Sequence, residues 1–437
     1  MTTLDTLVTE VRRTVGERLN EAVAATERPG AGAITGEHQR MLAHKLITDE
    51  LARIDSIAMS NGGRLLSDDQ RTQLTRATIN ELFEMGLIQQ YVDDPSNTDI
   101  AINGFDNVWL TKRNGAKVQG EPVARSDEHL IEIVQAAARR GRSEHRWDPA
   151  SPRLDLQLPN GDRLNAIAWV SGRPSISIRR HDFDIHRLDQ LVRLGTITEP
   201  LRHLLAAMVA ARFNIVVAGG TGAGKTTFTR CLINEVPSTE RLITVEDSLE
   251  LGIGRFAHLH PDHVELEARP PNVEGVGALS MNDLAINALR MNPDRLIVGE
   301  VRGDEALTLL LACTQGNDGS ICTVHADSSE GVFGRLQMYL AMTRERFEPQ
   351  AANLMIAQAI DAVVHIAKVG PDERVVTSVR EITDADSDLV ASNEIYGPDS
   401  SGRAEPRFPF SADRLERLEA AGLDRSVLTQ TGTWRQR

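Results

Sequence analysis

A chain of 437 residues, with 48 lysines and arginines against 62 aspartates and glutamates and a net charge of −14, is too long for one ordinary domain and too acidic to coat nucleic acid through its overall field. The three cysteines, Cys231, Cys313 and Cys322, lack metal-ligand spacing and suit a reducing compartment. Residues 1–20 carry charges throughout, and the longest apolar runs, 215–218 and 307–313, fall far short of a bilayer span. A cytoplasmic protein without direct membrane insertion is expected, reaching a membrane only through a partner.

Residues 1–90 read as a helical appendage. Leu4, Leu7, Val8, Val11 and Val15 share one helical face, and the Ser67-Asp68-Asp69-Gln70 capping box opens a helix bearing Leu74, Ile79, Leu82 and Phe83. A flexible joint is expected at 28–36, around Pro29, Gly30, Gly32 and Gly36.

From about Asp93 short alternating stretches, 99–103, 108–112 and 175–180, predict an α+β domain over 91–190. A hairpin is marked by Leu154, Leu156 and Leu158, then Asn160-Gly161 as a two-residue turn, then a return over 163–167. In the stretch 175–180, Ile176, Ile178 and Arg180 share one face and Arg179 points to the other.

Strands and helices then alternate through 191–382. Strands at 215–218, 242–245, 295–299 and 321–324, with helices at 225–234, 280–290 and 305–314, predict a largely parallel sheet covered by helices, an α/β domain that binds ligands at the carboxyl ends of its strands. Residues 383–412, rich in Asp, Ser, Gly and Pro, read as a linker before a short helix at 412–421, so that 383–437 form a tail.

The chemistry concentrates in the α/β segment. Gly219, Gly220, Thr221, Gly222, Ala223, Gly224, Lys225, Thr226 and Thr227 lie between strand and helix as a phosphate loop. Backbone amides would cradle phosphate, Lys225 would meet the β- and γ-phosphates, and the Thr226 hydroxyl would serve Mg²⁺. A second apolar strand ends in Glu246, Asp247 and Glu250, and a third delivers Glu300 followed by Arg302; Glu300 suits Mg²⁺, through water, or the attacking water. A fourth strand ends in His325, a candidate γ-phosphate sensor, near Ser328, a candidate helix cap.

In this order and spacing, the phosphate loop, the acidic strand end, Gly299-Glu300-Val301-Arg302 and the histidine strand resemble the ATPases of type II and type IV secretion systems. Glu267-Ala-Arg-Pro-Pro-Asn-Val-Glu-Gly275 and Asn287-Ala-Leu-Arg-Met-Asn-Pro-Asp294 are similar to the tight-adherence (Tad/Flp) pilus branch. The resemblance continues upstream to 94–104, 161–166 and 177–180, covering roughly residues 70–380. It implies a RecA-like P-loop motor domain behind an α+β domain, a homo-hexameric ring, inner-membrane platform proteins as partners, and a peripheral place at the cytoplasmic face of the membrane.

Carried over residue by residue, the resemblance makes Lys225 and Thr226 the phosphate and Mg²⁺ ligands, Glu250 the water-orienting glutamate, and Glu300 the acidic residue of the Walker B strand. Glu246 and Asp247 would support that network, and Arg302 joins the catalytic set. His325 is the histidine-box residue, and Arg163, Arg179 and Arg180 would reach the γ-phosphate from the preceding domain. The chain departs from the family pattern at Asn317, which stands where a histidine is common and cannot carry a proton. The reading is ATP hydrolysis driving pilus assembly or protein secretion; the alternatives are a DNA-transfer ATPase, which the net acidity disfavours, and a nucleotide-binding scaffold without turnover.

Overall fold

The computed structural model describes residues 4–26, 36–140, 146–181, 183–269, 271, 275–370, 373–386 and 389–430. Contacts divide the chain after His181.

The first part holds two apolar cores. In one, α1 (Leu4–Thr26), α2 (Gly36–Ser60) and α3 (Asp68–Phe83) pack together. Val8, Val11 and Val15, at spacings of three and four, line one face of α1 and meet Ala43, Ile47, Leu74 and Ile79. The capping box of α3 forms as the sequence predicts: Ser67 Oγ accepts from the Gln70 amide at 3.3 Å, and Gln70 Oε1 accepts from the Ser67 amide at 2.9 Å. The joint expected at 28–36 lies, up to residue 35, outside the described residues.

The other core belongs to α4 (Gln89–Asp93), β1 (Asn97–Asn103), β2 (Val108–Lys112), β3 (Lys117–Gly120), α5 (Asp127–Arg140), β4 (Arg153–Gln157), β5 (Arg163–Ile167) and β6 (Ser175–Arg179). The strands form an antiparallel sheet in the order β3-β2-β1-β6-β5-β4. Alternate residues such as Ile100, Ile102, Leu156, Leu164, Ile176 and Ile178 face Leu130 and Val134 of α5. The β4–β5 hairpin has three loop residues where two were expected. The Leu158 amide donates to Asp162 O at 2.8 Å, and the Gly161 amide donates to Leu158 O at 2.8 Å. Pro159 and Asn160 therefore make the turn, and Gly161, at φ 94°, takes the left-handed position that closes it.

The second part begins with α6 (Leu188–Arg193), α7 (Glu199–Ala210), β7 (Ile215–Ala218), α8 (Lys225–Ile233), β8 (Leu242–Glu246) and β9 (His263–Glu267). There follow α9 (Met281–Leu289), β10 (Arg295–Val301), α10 (Glu305–Thr314), β11 (Ile321–Val324), α11 (Gly331–Met342) and α12 (Pro349–Ala359). The chain then adds β12 (Ala362–Lys368), β13 (Arg374–Ala385), β14 (Val390–Pro398), β15 (Ala404–Pro406) and α13 (Ala412–Ala420). Among the described residues, these nine strands join one sheet, in the order β15-β14-β13-β12-β7-β11-β10-β8-β9. From β12 to β9 the pairing is parallel. Counted from β7, and leaving β9 aside, the parallel strands stand in the order 5-1-4-3-2 of a RecA-like domain. Strands β7 and β11 are buried at every residue because helices cover both faces: Ile215 and Val217 enter one core, Val216 and Ala218 the other.

Residues 383–412 correct the sequence reading. They end β13 and supply β14 and β15, an antiparallel extension of the sheet with Ile395 and Tyr396 buried to 1% exposure. The turn-forming residues near 386 and 398–402 punctuate hairpins there instead of composing a linker. Asn317 precedes β11, at the edge of the sheet opposite the strand ends that carry the acidic residues, and its Nδ2 donates to Ala312 O at 3.3 Å. It caps α10, so the departure from the family pattern falls on a helix end.

Candidate nucleotide-binding site

Strand β7 delivers the phosphate loop at the carboxyl edge of the sheet. A Cβ on Gly219 would lie 2.3 Å from the Ile366 carbonyl oxygen of neighbouring β12, so only glycine lets the loop leave the strand on this path. Gly222 and Gly224 have φ of 71° and 97°, and Gly224 is the residue before α8, whose first amides face the loop. Among the described residues, no neighbouring atom lies within 4 Å of where a side chain on Gly220 or Gly222 would start, which leaves room for an anion against the backbone. Lys225 Nζ donates to Gly219 O at 3.0 Å and Gly220 O at 3.2 Å. Burial lowers the pKa of its ammonium, opposed by the charges of Glu300 and Glu250.

The three acidic strand-end residues have different partners. Glu250 accepts from Thr226 Oγ1 at 3.4 Å, which brings the candidate water-orienting carboxylate against the candidate Mg²⁺ hydroxyl. Glu246 is 2% exposed, and its Oε2 accepts from the amides of Glu250 and Leu251, both at 2.8 Å. Burial pushes the Glu246 carboxyl up to about 8, against the pull of those two amides. A Cβ at Gly299 would sit 2.8 Å from Glu246 Cγ, so the glycine before Glu300 is what admits the buried acid. Asp247 accepts from Arg302 Nη2 at 2.8 Å, while Arg302 Nε lies 3.6 Å from Glu300 Oε2. Arg302 thus spans the ends of β8 and β10.

His325 follows Val324, which pairs with Ala218, so the histidine stands beside the start of the phosphate loop. Ser328 Oγ accepts from the Gly331 amide at 3.0 Å at the entry to α11, as a cap would. Lys225, Thr226, Glu246, Asp247, Glu250, Glu300 and Arg302 therefore gather at one edge of one sheet. Arg163 and Arg179 lie in the first part as direct cross-strand neighbours on β5 and β6. Arg180 there donates through Nη1 to Asp94 O at 2.7 Å and Val92 O at 3.2 Å.

Three residues at this edge escaped the sequence reading. Arg374, at the start of β13, donates from Nε to Gly222 O at 3.0 Å. His365 of β12 pairs with Ala218 in register, and its Nδ1 lies 2.6 Å from Thr377 Oγ1. Burial lowers the pKa of that imidazole. Arg230, on α8, is 2% exposed. Only Arg230 left a trace in the sequence, as a charge set between Phe228 and Cys231-Leu232 in an otherwise apolar stretch.

A family model described as "Type II/IV secretion system protein" matches residues 82–403. A putative conjugal transfer protein of Mycobacterium tuberculosis (strain H37Rv) is 32% identical over 314 residues, covering 70% of this chain and 86% of the relative. The type IV secretion system protein VirB11 of Brucella suis is 29% identical over 339 residues, covering 70% and 91%. Among solved structures, the crystal structure of the Brucella suis VirB11 ATPase in complex with sulphate aligns at 27% identity and a TM-score of 0.36, covering 67% of this chain and 94% of that one.

Proposed function

Because the chain belongs to the type II/IV secretion system protein family, we propose that it hydrolyses ATP to drive pilus assembly or protein secretion through a membrane-embedded apparatus. The observation that carries this reading is the meeting of Glu250 with Thr226 at 3.4 Å, one residue from Lys225. A nucleotide-binding scaffold would need the loop and the lysine, but not a carboxylate aimed at the phosphate side of α8.

In this reading the loop amides and the amino end of α8 hold the β- and γ-phosphates, and Lys225 exchanges the carbonyls of Gly219 and Gly220 for phosphate oxygens. Glu250 orients the attacking water. Thr226 and Glu300 are the residues that would hold Mg²⁺; a hydroxyl and a carboxylate beside a phosphate cradle are the hard oxygen donors that ion takes, with phosphate and water completing its shell. When bound, Mg²⁺ neutralises charge on the phosphate oxygens. Arg302 keeps Glu300 and Asp247 in register, His325 senses the γ-phosphate, and Arg163, Arg179 and Arg180 add positive charge to it.

The motor works as a homo-hexamer of the tight-adherence type, peripheral at the cytoplasmic face of the membrane, on inner-membrane platform proteins. A DNA-transfer motor is the second reading, favoured by the conjugal-transfer name of the Mycobacterium tuberculosis relative. A deletion strain separates the two: loss of surface pili or of secreted protein supports the first, and loss of DNA transfer alone supports the second. Purified protein without ATP hydrolysis in any assembly state, together with an intact cellular function in Glu300→Gln, would sink the motor reading altogether.

A further inference from the structure

We infer that Arg230 is a positioning residue for Glu250, the donating half of a clamp whose accepting half is Glu246. The inference rests on reading Glu250 as the water-orienting carboxylate. After β8 the chain runs through 247–252 without helix or strand, so side chains decide where Glu250 points. Glu246 Oε2 takes the amides of residues 250 and 251 at 2.8 Å each. From the other side Arg230 Nη2 donates to Glu250 O at 2.8 Å, and Arg230 Nε donates to Leu251 O at 2.8 Å. The N–H and C=O of two successive residues are thus taken by two side chains, each 2% exposed. The two bonds from the Arg230 guanidinium are charge-assisted and shielded from water, among the stronger ones a loop can make.

The clamp also fixes Glu250 relative to the phosphates. Thr226 and Arg230 are four residues apart on α8 and share a face of the helix. Thr226 meets the Glu250 carboxylate while Arg230 holds the Glu250 carbonyl. The helix whose amino end faces the phosphate therefore carries both attachments, and the distance from phosphate to glutamate becomes a dimension of one rigid element. An apolar side chain would satisfy the packing of α8 beside Phe228, Cys231 and Leu232, whereas a buried guanidinium is costly unless its donors are used.

A lid covers the clamp. The Phe183 ring lies 4.5 Å from the Arg230 guanidinium carbon and 4.2 Å from that of Arg255. Arg230 Nη1 also reaches Ile185 O at 3.4 Å. Gly252, at φ 62°, allows this approach, since a Cβ there would fall 2.3 Å from Phe183 Cε1.

The test uses the full chain and two readouts. In Arg230→Lys, which keeps the charge and loses the fork, amide hydrogen exchange over 247–253 is expected to quicken about tenfold or more. In the same variant kcat should fall about 10- to 100-fold, while KM and the affinity for a non-hydrolysable ATP analogue stay within about threefold. Placed on Glu250→Gln, the substitution should cost nothing further, because a residue acting through Glu250 has nothing left to position. Unchanged exchange, a kcat within about twofold of the parent, or an equal loss on both backgrounds overturns the inference. Should Arg230→Lys not fold, Phe183→Leu uncovers the guanidinium more gently; about threefold faster exchange with a matching fall in kcat supports the clamp, and no change in either overturns it. Full hydrolysis by Glu250→Gln alone would instead remove the reading of Glu250 beneath the inference, and the exchange measurement is independent of that result.

Discussion

The phosphate loop and the acidic loop 247–252 both leave the carboxyl end of a parallel strand, yet they are held in opposite ways. The phosphate loop is shaped by its own backbone: Gly219 slips past the Ile366 carbonyl, and Gly222 and Gly224 take left-handed conformations. The acidic loop is shaped by other parts of the chain: Glu246 at its root, Arg230 from α8 and Phe183 from the start of the second part. A backbone-built loop can bind an anion as soon as it folds. A loop built by side chains places a carboxylate only when distant elements agree, which suits a group that must act at one distance from that anion.

The largest expected effect strikes the first loop. Lys225→Ala should cut ATP hydrolysis about 10²- to 10³-fold, as loss of one preorganised charge does elsewhere; hydrolysis that survives it in a steady-state assay would mean the loop has been misread. Two glycine substitutions then separate the loops. Gly219→Ala should destabilise the second part by about 1–3 kcal/mol in urea unfolding, because a backbone carbonyl must move, and should weaken nucleotide binding. Gly252→Ala, which drives a Cβ into Phe183, should lower kcat and leave nucleotide affinity nearly intact. If both variants lose affinity alike, the two loops are one cooperative unit and the contrast between them fails.

A smaller effect follows from the buried acid. Folding raises the Glu246 pKa from its ordinary value to about 8, so the folded chain holds a proton that the unfolded chain releases. The stability this contributes is complete below the unfolded pKa and is lost as pH rises through about 8. Glu246→Gln keeps an oxygen for the two amides and should flatten the fall in melting temperature between about pH 5 and pH 9 in nucleotide-free protein; parallel melting curves would place the titration elsewhere. The smallest effect is expected at Asn317. Asn317→His, at the opposite edge of the sheet, should change stability by about 0.5 kcal/mol or less and hydrolysis by less than about twofold. A larger change in rate would tie that edge to the site.

What was legible in the sequence had local causes. The capping box of α3, the apolar strands β7, β8, β10 and β11, the glycines of the phosphate loop and the carboxylates that end two strands are all written in a few adjacent residues. The hairpin was legible too, although Leu158 pairing with Asp162 lengthened its turn by one residue. Strands β14 and β15 were misread because the Asp, Ser, Gly and Pro residues of tight hairpins have the composition of a linker; pairing with β13 is what makes them sheet.

The sequence by itself determined that a phosphate loop stands between a buried strand and a helix, and that acidic residues leave two further strands. Glycine conformations, apolar runs and turn residues act over a few bonds, so neighbours in sequence suffice to read them. Only the tertiary structure decided how those residues meet: Arg230 against the carbonyls of Glu250 and Leu251, twenty and twenty-one residues away, Arg374 against Gly222 from 152 residues away, and Asn317 at a helix end. Such contacts depend on strand order and on which helix covers which face. Those are settled by packing the whole sheet, and no short window of sequence contains them.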